Sequence, residues 1–185
     1  MHYHLGTSNL IPILKHELYD YMIGLFTRRL AKCGAYSRVL GCDYSESMLT
    51  EARRRIQQDT DISESPTRLD LIRLDVGNLP FQTESITALH AGAAMHCWPD
   101  LDAGLSEIYR SLQPGGRYFA STFLSQYFRT LRATENGDVD VNQQAFQYFE
   151  STDQLHQLLR KAGFQEENIQ MEVLGAACVI IQCIK

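Results

Sequence analysis

No apolar run in the sequence reaches the roughly 18 residues that a membrane-spanning helix needs. We therefore expect no membrane span. The N-terminus also lacks a recognisable signal peptide or transit peptide. The sequence by itself therefore assigns no cellular location.

Basic residues are outnumbered, because 17 lysines and arginines stand against 22 aspartates and glutamates, which gives a net charge of −5. Binding to a nucleic-acid backbone needs a concentrated basic surface. The densest basic run, residues 53–55, lies late in a predicted helix, where cations suit the helix dipole. Nucleic acid is therefore not an expected partner.

Paired or metal-binding cysteines are not indicated either. The five cysteines are an odd number and show no metal-ligand spacing. Three of them lie in apolar runs, where cysteine behaves as a small hydrophobic residue. We expect unpaired thiols, which suit a reducing compartment, and no metal site.

The order of predicted elements indicates an α/β fold. Strands are predicted at residues 38–42, 69–74, 86–91 and 117–123, and helices after Ser45, at residues 101–112 and after Ser151. This alternation predicts a Rossmann-like, doubly wound, mostly parallel sheet. Two short strands at residues 169–174 and 178–183, joined through Gly175, predict an antiparallel hairpin at one edge. The length of 185 residues suits a single domain over residues 1–185.

Ligands of such sheets bind at the carboxyl ends of the strands. Asp43 follows the strand at residues 38–42, where its carboxylate can accept hydrogen bonds from two ribose hydroxyls. The alternative is a turn aspartate that stabilises the next helix. Asp75 and Val76 end the following strand, where a carboxylate beside a backbone N–H can contact an adenine edge. A simple turn aspartate is again the alternative.

A third candidate stretch, residues 90–98, follows the strand at residues 86–91. Its small residues allow a ligand to approach the backbone closely. His90 and His96 can act as acid or base near neutral pH, or they are packed histidines. Trp98 is a substrate platform, or a core or lid aromatic.

Three motifs in this chain occur together in one order. Residues 43–52 have the form D-x-S-x-x-M-L-x-x-A, residues 75–81 the form D-x-x-x-L-P-F, and residues 107–116 the form E-x-x-R-x-L-x-P-G-G. With this spacing they resemble the class I S-adenosylmethionine-dependent methyltransferases, and most of all the UbiE-like, methyltransferase type 11 group. Residues 90–98 are similar to a plant and algal branch of that group.

The resemblance implies S-adenosylmethionine as the cofactor, a small apolar or quinone-like acceptor and a plastid location. By position, Asp43 would bind the ribose, Asp75 and Val76 the adenine, and the residues after the third strand the methionine moiety. The implied cofactor-binding residues are Gly24, Asp43, Tyr44, Asp75, Val76, Ala91, Gly92 and Ala93. The family has no universal catalytic residue, because methyl transfer is a direct displacement governed by alignment. His96 is the one candidate base.

The first motif of the family, a strand and a loop of the form D-x-G-x-G-x-G, is not visible. Gly24 and the helical pattern after it match the end of this motif, but residues 15–23 contain no glycine. Their apolar spacing predicts one helix over residues 13–33 with Gly24 inside it. Asp20 aligns poorly with the acidic residue of the motif, and Pro12 would interrupt a central strand at residues 10–14. Residues 1–23 are therefore an atypical segment, and the first strand is absent or replaced.

Several alternatives stay open at this point. The chain is a divergent domain, a truncated or alternatively spliced product, or the product of an imperfect gene model. Its function is methyl transfer, impaired if the glycine-rich loop is lost, or that of an inactive relative acting as an interaction module. A dehydrogenase is not indicated, because no G-x-G-x-x-G follows any strand. Aromatic residues within residues 125–150 would form a substrate cap or pack the loop down. No oligomeric state is predicted.

Overall fold

The computed structural model describes residues 24–125, 149–175 and 177–185. These residues belong to two compact units that divide between Arg73 and Leu74, and each unit is described by itself. The atypical segment 1–23, with the predicted loss of the first strand, lies outside the described residues. So does most of the predicted substrate cap.

The first unit consists of two parallel strands and three helices. Its elements are α1 (Leu25–Lys32), β1 (Arg38–Asp43), α2 (Glu46–Gln57), α3 (Thr60–Ser63) and β2 (Arg68–Arg73). The strands pair in parallel over their whole length, with Asp43 opposite Arg73 at their carboxyl ends. The Ser45 hydroxyl caps α2 by accepting a hydrogen bond from the Met48 N–H at 3.4 Å, as its position predicted. The short helix α3 lies where the polar sequence predicted only a loop.

Helix α1 begins at Leu25, and Gly24 is its N-cap. Gly24 has φ 70° and ψ 16°, a left-handed conformation that lies outside an α-helix. A Cβ at this position would lie 3.1 Å from the Cβ of Ala52 on α2. The prediction that Gly24 lies inside a helix is therefore wrong, because its backbone is left-handed, and the part of that predicted helix at residues 13–23 lies outside the described residues.

Helix α1 packs closely on β1 and forms ion pairs with the turn after α2. At Gly41 of β1, a Cβ would lie 2.8 Å from Thr27 Cγ2 of α1, so only glycine lets the helix approach this closely. Asp59 lies in the turn after α2, and its carboxylate pairs with Arg28 at 3.1 Å and with Lys32 at 2.6 Å. The hydrogen bond from Lys32 is the main cause of the lowered pKa of Asp59. These contacts hold α1 against β1 and against the turn after α2.

The second unit is a four-stranded sheet with helices. Its elements are β3 (Ile86–Ala91), a 3-10 turn (Met95–Cys97), α4 (Leu101–Ser111), β4 (Leu112–Phe123), α5 (Thr152–Ala162), a second 3-10 turn (Glu166–Asn168), β5 (Ile169–Leu174) and β6 (Cys178–Ile184). The strand order is β3-β4-β6-β5. Strands β3 and β4 are parallel, whereas β6 is antiparallel to both β4 and β5. The predicted α/β fold class with a C-terminal antiparallel hairpin is therefore confirmed.

The core of this unit lies between the sheet and its two long helices. Its fully buried side chains include Met95, Leu105, Ile108, Leu112, Tyr118, Leu155, Leu159, Phe164, Val179 and Ile181. Helix α4 ends at Ser111, one residue before its predicted end, and β4 begins at Leu112, five residues before the predicted strand at residues 117–123. Helix α5 begins after a Ser151 cap, as the sequence predicted, and ends at Ala162 with Gly163 as its C-cap.

Candidate functional site

Asp43 stands at the carboxyl end of β1, where it is partly exposed. Its Oδ1 accepts a hydrogen bond from the Ser45 N–H at 2.8 Å, so the carboxylate does stabilise the turn into α2. A carboxylate has about four lone-pair sites on two oxygens. Asp43 therefore serves the turn with one oxygen and retains acceptor capacity for the two hydroxyls of a ribose. Its two sequence interpretations are compatible.

Among the described residues of this unit, Tyr44 is the one large hydrophobic residue that is exposed, with 67% of it accessible. The Arg73 guanidinium lies over its ring at 5.2 Å from the centroid. Arg73 Nε also donates to the Tyr44 carbonyl oxygen at 2.9 Å. Since Arg73 is the strand partner of Asp43 in the parallel register, these two contacts hold Tyr44 beside the ends of β1 and β2.

In the second unit, Asp75 forms the first residue of a tight turn. Its Oδ1 accepts from the Gly77 N–H at 2.9 Å, and its carbonyl oxygen accepts from the Asn78 N–H at 3.1 Å. The residue itself is exposed. As at Asp43, one carboxylate oxygen is used locally, and acceptor capacity remains for an amino group such as that of adenine.

Val76 and Trp98 pack against the same point of α4. A Cβ at Gly104 would lie 3.4 Å from Val76 Cγ1 and 3.0 Å from Trp98 Cε3. Both side chains are partly buried against the hydrophobic core. Trp98 is therefore packed as a core aromatic. Because Gly104 has no side chain, Val76 in the turn that begins at Asp75 can approach α4 closely.

Glu107 and Arg110 of the E-x-x-R motif bind the backbone that follows the turn at Asp75. Glu107 Oε2 accepts from the Leu79 N–H at 2.9 Å, and Glu107 Oε1 accepts from Arg110 Nε at 2.7 Å. Arg110 in turn donates from Nη1 to the Phe81 carbonyl at 2.8 Å and from Nη2 to the Leu79 carbonyl at 3.1 Å. The hydrogen bond from Arg110, followed by that from the Leu79 amide, lowers the pKa of Glu107.

This arrangement explains why two of the sequence motifs occur together. Glu107 and Arg110 of the third motif bind the backbone of the L-P-F segment of the second, at Leu79 and Phe81. The roles of Glu107 and Arg110 were not predicted from the sequence, where the two residues stood out only as part of the E-x-x-R-x-L-x-P-G-G motif.

The loop after β3 carries an unusual backbone conformation. Ala91 is buried at the strand end, whereas Gly92 and Ala93 are partly exposed. Ala93 has φ 48°, in the left-handed region that costs a residue with a Cβ about 1–2 kcal/mol. Its N–H donates to the Ser121 hydroxyl of β4 at 2.9 Å. The small side chains leave the backbone of this loop accessible to a ligand.

Both histidines of this stretch are packed. The His90 ring stacks on Phe119 with centroids 5.5 Å apart, and desolvation lowers its pKa to about 4. His96 is 7% exposed and lies with Nδ1 3.5 Å from the Thr122 hydroxyl. Burial lowers the pKa of His96 as well. Both rings are therefore neutral near pH 7, and the enclosure of His96 does not favour it as a base that reaches a substrate.

The chemistry of the candidate residues in each unit fits a part of S-adenosylmethionine. In the first unit, the Asp43 carboxylate at the end of β1 has spare acceptor capacity for ribose hydroxyls. In the second unit, the Asp75 carboxylate has spare acceptor capacity for an adenine amino group, and the loop of small residues after β3 allows a methionine chain to approach closely. In the described ranges no group of three or more His, Cys, Asp or Glu residues is arranged to hold a metal ion.

Comparison with known proteins identifies the class. The fold is similar to that of a SAM-dependent methyltransferase from Methanosarcina mazei, with a TM-score of 0.67 over 86% of each chain at 17% identity, a likeness that shows the fold alone. The model of the methyltransferase domain family, Methyltransf_11, matches residues 22–120. The chain belongs to this methyltransferase domain family, as its motifs predicted, and the family implies S-adenosylmethionine as the cofactor.

Two relatives with similar sequences are also methyltransferases by name. An uncharacterized chloroplastic methyltransferase of Arabidopsis thaliana is 45% identical over 101 residues, 55% of this chain and 28% of the relative. A demethylmenaquinone methyltransferase of Symbiobacterium thermophilum is 32% identical over 168 residues, 77% of this chain and 64% of the relative. The chain thus spans about a third of the plant proteins it matches. In the described part of the chain, no helix is long and apolar enough to span a membrane.

Proposed function

We propose that this chain binds S-adenosylmethionine and transfers its methyl group to a small, apolar or quinone-like acceptor. The observation that carries the proposal is Asp43. It lies at the end of a parallel strand, where such folds bind their ligands, and only one of its oxygens is needed by the turn.

Each candidate residue has a defined task in this proposal. Asp43 accepts from the ribose hydroxyls, and the exposed ring of Tyr44 offers a surface for the adenine. Asp75 accepts from the adenine amino group, while the backbone N–H of Val76 donates to a ring nitrogen. The methionine chain is bound along Ala91, Gly92 and Ala93, and Gly24, the N-cap of α1, is the candidate residue for its carboxylate end.

The chemistry that the bound cofactor supplies is a methyl group on a sulfonium, open to direct displacement by a nucleophile. The protein contributes alignment, which accounts for the largest share of rate enhancement in such a reaction. The turn at Asp75 is fixed by Glu107 and Arg110, and the strand end at Asp43 is fixed by Arg73. No catalytic base is part of the proposal.

Three of the relatives support the finer points. One is named as a demethylmenaquinone methyltransferase, which favours a quinone-like acceptor here. The plant relatives are named as chloroplastic, which favours a plastid location for this protein. The single-domain organisation predicted from the sequence also remains part of the proposal.

The test is methyl transfer from radiolabelled S-adenosylmethionine to a series of soluble naphthoquinols, with Asp43→Ala beside the wild type. A hydrogen bond to a charged group contributes about 1.5–3 kcal/mol, so the variant should require about 10- to 100-fold more cofactor for half-maximal rate. Asp70→Ala is the matched control, because Asp70 lies on β2 and pairs only with the exposed Arg38 and Arg68 among the described residues. Equal rates for Asp43→Ala and the wild type at all cofactor concentrations would refute the proposal.

A further inference from the structure

The Ser121 hydroxyl accepts a hydrogen bond from Ala93. Ala93 is the one non-glycine residue with a left-handed backbone in the candidate cofactor loop at residues 90–98. Ala93 has φ 48°, and its N–H donates to Ser121 Oγ at 2.9 Å. Any residue with a Cβ loses free energy in this conformation. The conformation therefore persists only where neighbouring contacts stabilise it.

The support for Ser121 itself is rigid. Ser121 lies in β4, one residue beyond Ala120, which pairs with Ala91 at the end of β3. On the other side, Ser121 is opposite Ile180 of β6, so it is held by one strand and lies just beyond the last pair of the other. Only 9% of Ser121 is exposed. Its hydroxyl is thus a fixed point beside the loop and is not a mobile surface group.

The next residue of β4 contacts the same segment. The Thr122 hydroxyl lies 3.5 Å from His96 Nδ1, at the far end of the stretch that begins with Ala93. Two adjacent hydroxyls of one central strand therefore contact both ends of the loop. Of these two contacts, only that of Ser121 reaches the backbone.

We infer that Ser121 is a positioning residue for the cofactor: its hydroxyl keeps Ala93 left-handed and thereby sets which backbone groups of residues 91–94 face the methionine moiety. This inference rests on the proposed function, because it assigns the loop to the cofactor. Without the hydroxyl, Ala93 relaxes to a right-handed or extended conformation. The two peptide planes that flank it then rotate, and the loop no longer presents the same surface.

Ser121→Ala should weaken the binding of S-adenosylhomocysteine by about five- to tenfold, as measured by calorimetry. This loss is the equivalent of one neutral hydrogen bond, about 1 kcal/mol. Ser121→Thr keeps the hydroxyl and should bind within about twofold of the wild type. Hydrogen exchange at the Ala93 amide, measured without ligand, should speed up in Ser121→Ala and not in Ser121→Thr. Ser121→Cys, close to serine in size but a poor acceptor, replaces the alanine variant if that protein does not fold.

A second substitution separates positioning from a general loss of stability. Glycine adopts positive φ without penalty, so Ala93→Gly should make the loop less dependent on Ser121. The double variant Ala93→Gly/Ser121→Ala should therefore recover most of the affinity that Ser121→Ala loses. A purely structural Ser121 would lower the urea midpoint of Ser121→Ala and leave the affinity of the folded protein unchanged.

The outcomes distinguish this inference from the proposed function. If the wild type binds and Ser121→Ala binds equally well, Ser121 is not a positioning residue and the proposed function stands. If Ala93→Gly does not restore binding to Ser121→Ala, the link through Ala93 is wrong. If the wild type itself does not bind S-adenosylhomocysteine, the inference and the proposed function are overturned together.

Discussion

Removing the Glu107 carboxylate should loosen the turn that carries Asp75. In the structure, Glu107 Oε2 accepts from the N–H of Leu79, a residue that is only 6% exposed. Glu107→Ala leaves this amide without its acceptor, at a cost of about 1–3 kcal/mol. Arg110 keeps its two carbonyl partners at Leu79 and Phe81. We therefore expect the free energy of unfolding in urea to fall by about 2 kcal/mol.

The matched control is Glu107→Gln, which keeps one oxygen acceptor for the Leu79 amide and loses the charge together with the second oxygen, which accepts from Arg110 Nε. It should lose at most about 1 kcal/mol. Hydrogen exchange provides a local readout, because the Leu79 amide should lose protection in Glu107→Ala and keep it in Glu107→Gln. Equal losses in the two variants, or an unchanged Leu79 amide in Glu107→Ala, would refute the assignment of Glu107 as the acceptor that fixes this turn.

Three further predictions concern stability. Gly24→Ala should lower the free energy of unfolding in urea by about 1–2 kcal/mol. Alanine is strained at φ 70°, and its Cβ would lie 3.1 Å from the Cβ of Ala52. An unchanged urea midpoint would contradict the left-handed conformation of Gly24. Tyr118→Phe should raise stability by up to about 1 kcal/mol, since the buried Tyr118 hydroxyl makes no hydrogen bond with any residue that the structure describes; a loss would reveal a partner. Since the folded pKa of Glu107 is lowered, its stabilisation is present above the unfolded pKa of about 4.3 and is lost as pH falls through the folded pKa. Urea midpoints of the wild type and Glu107→Gln should therefore converge as the pH falls below the unfolded pKa of about 4.3, and a difference that does not change with pH would contradict the shift.

Elements with local sequence signals were predictable. The bounds of β3 agree with the apolar run at residues 86–91, and the caps of α2 and α5 lie at Ser45 and Ser151 as their side chains indicated. Each cap depends on a hydrogen bond between residues three positions apart. The strand β3 is marked by a local run of apolar residues. The position of Asp43 at the end of β1 was predictable for the same reason.

Contacts between distant residues were not predictable. Gly24 leaves no room for a Cβ beside Ala52, 28 positions further along the chain, and its left-handed backbone is not visible in the apolar periodicity that extended the predicted helix through it. The bond from Leu79 to Glu107 and the bond from Ala93 to Ser121 each join residues 28 positions apart. Nothing in a single sequence marks Ser121 among the other hydroxyl residues. The motif spacing predicted which residues belong to the candidate site. The contacts that fix these residues, such as those of Glu107 and Ser121, are seen only in the structure.

The most direct test of the account is calorimetric titration of the 185-residue chain with S-adenosylhomocysteine. The account predicts saturable one-to-one binding that is strongly weakened in Asp43→Ala and unchanged in Asp70→Ala. No heat of binding at millimolar ligand, with a protein that is folded by its urea transition, would contradict it.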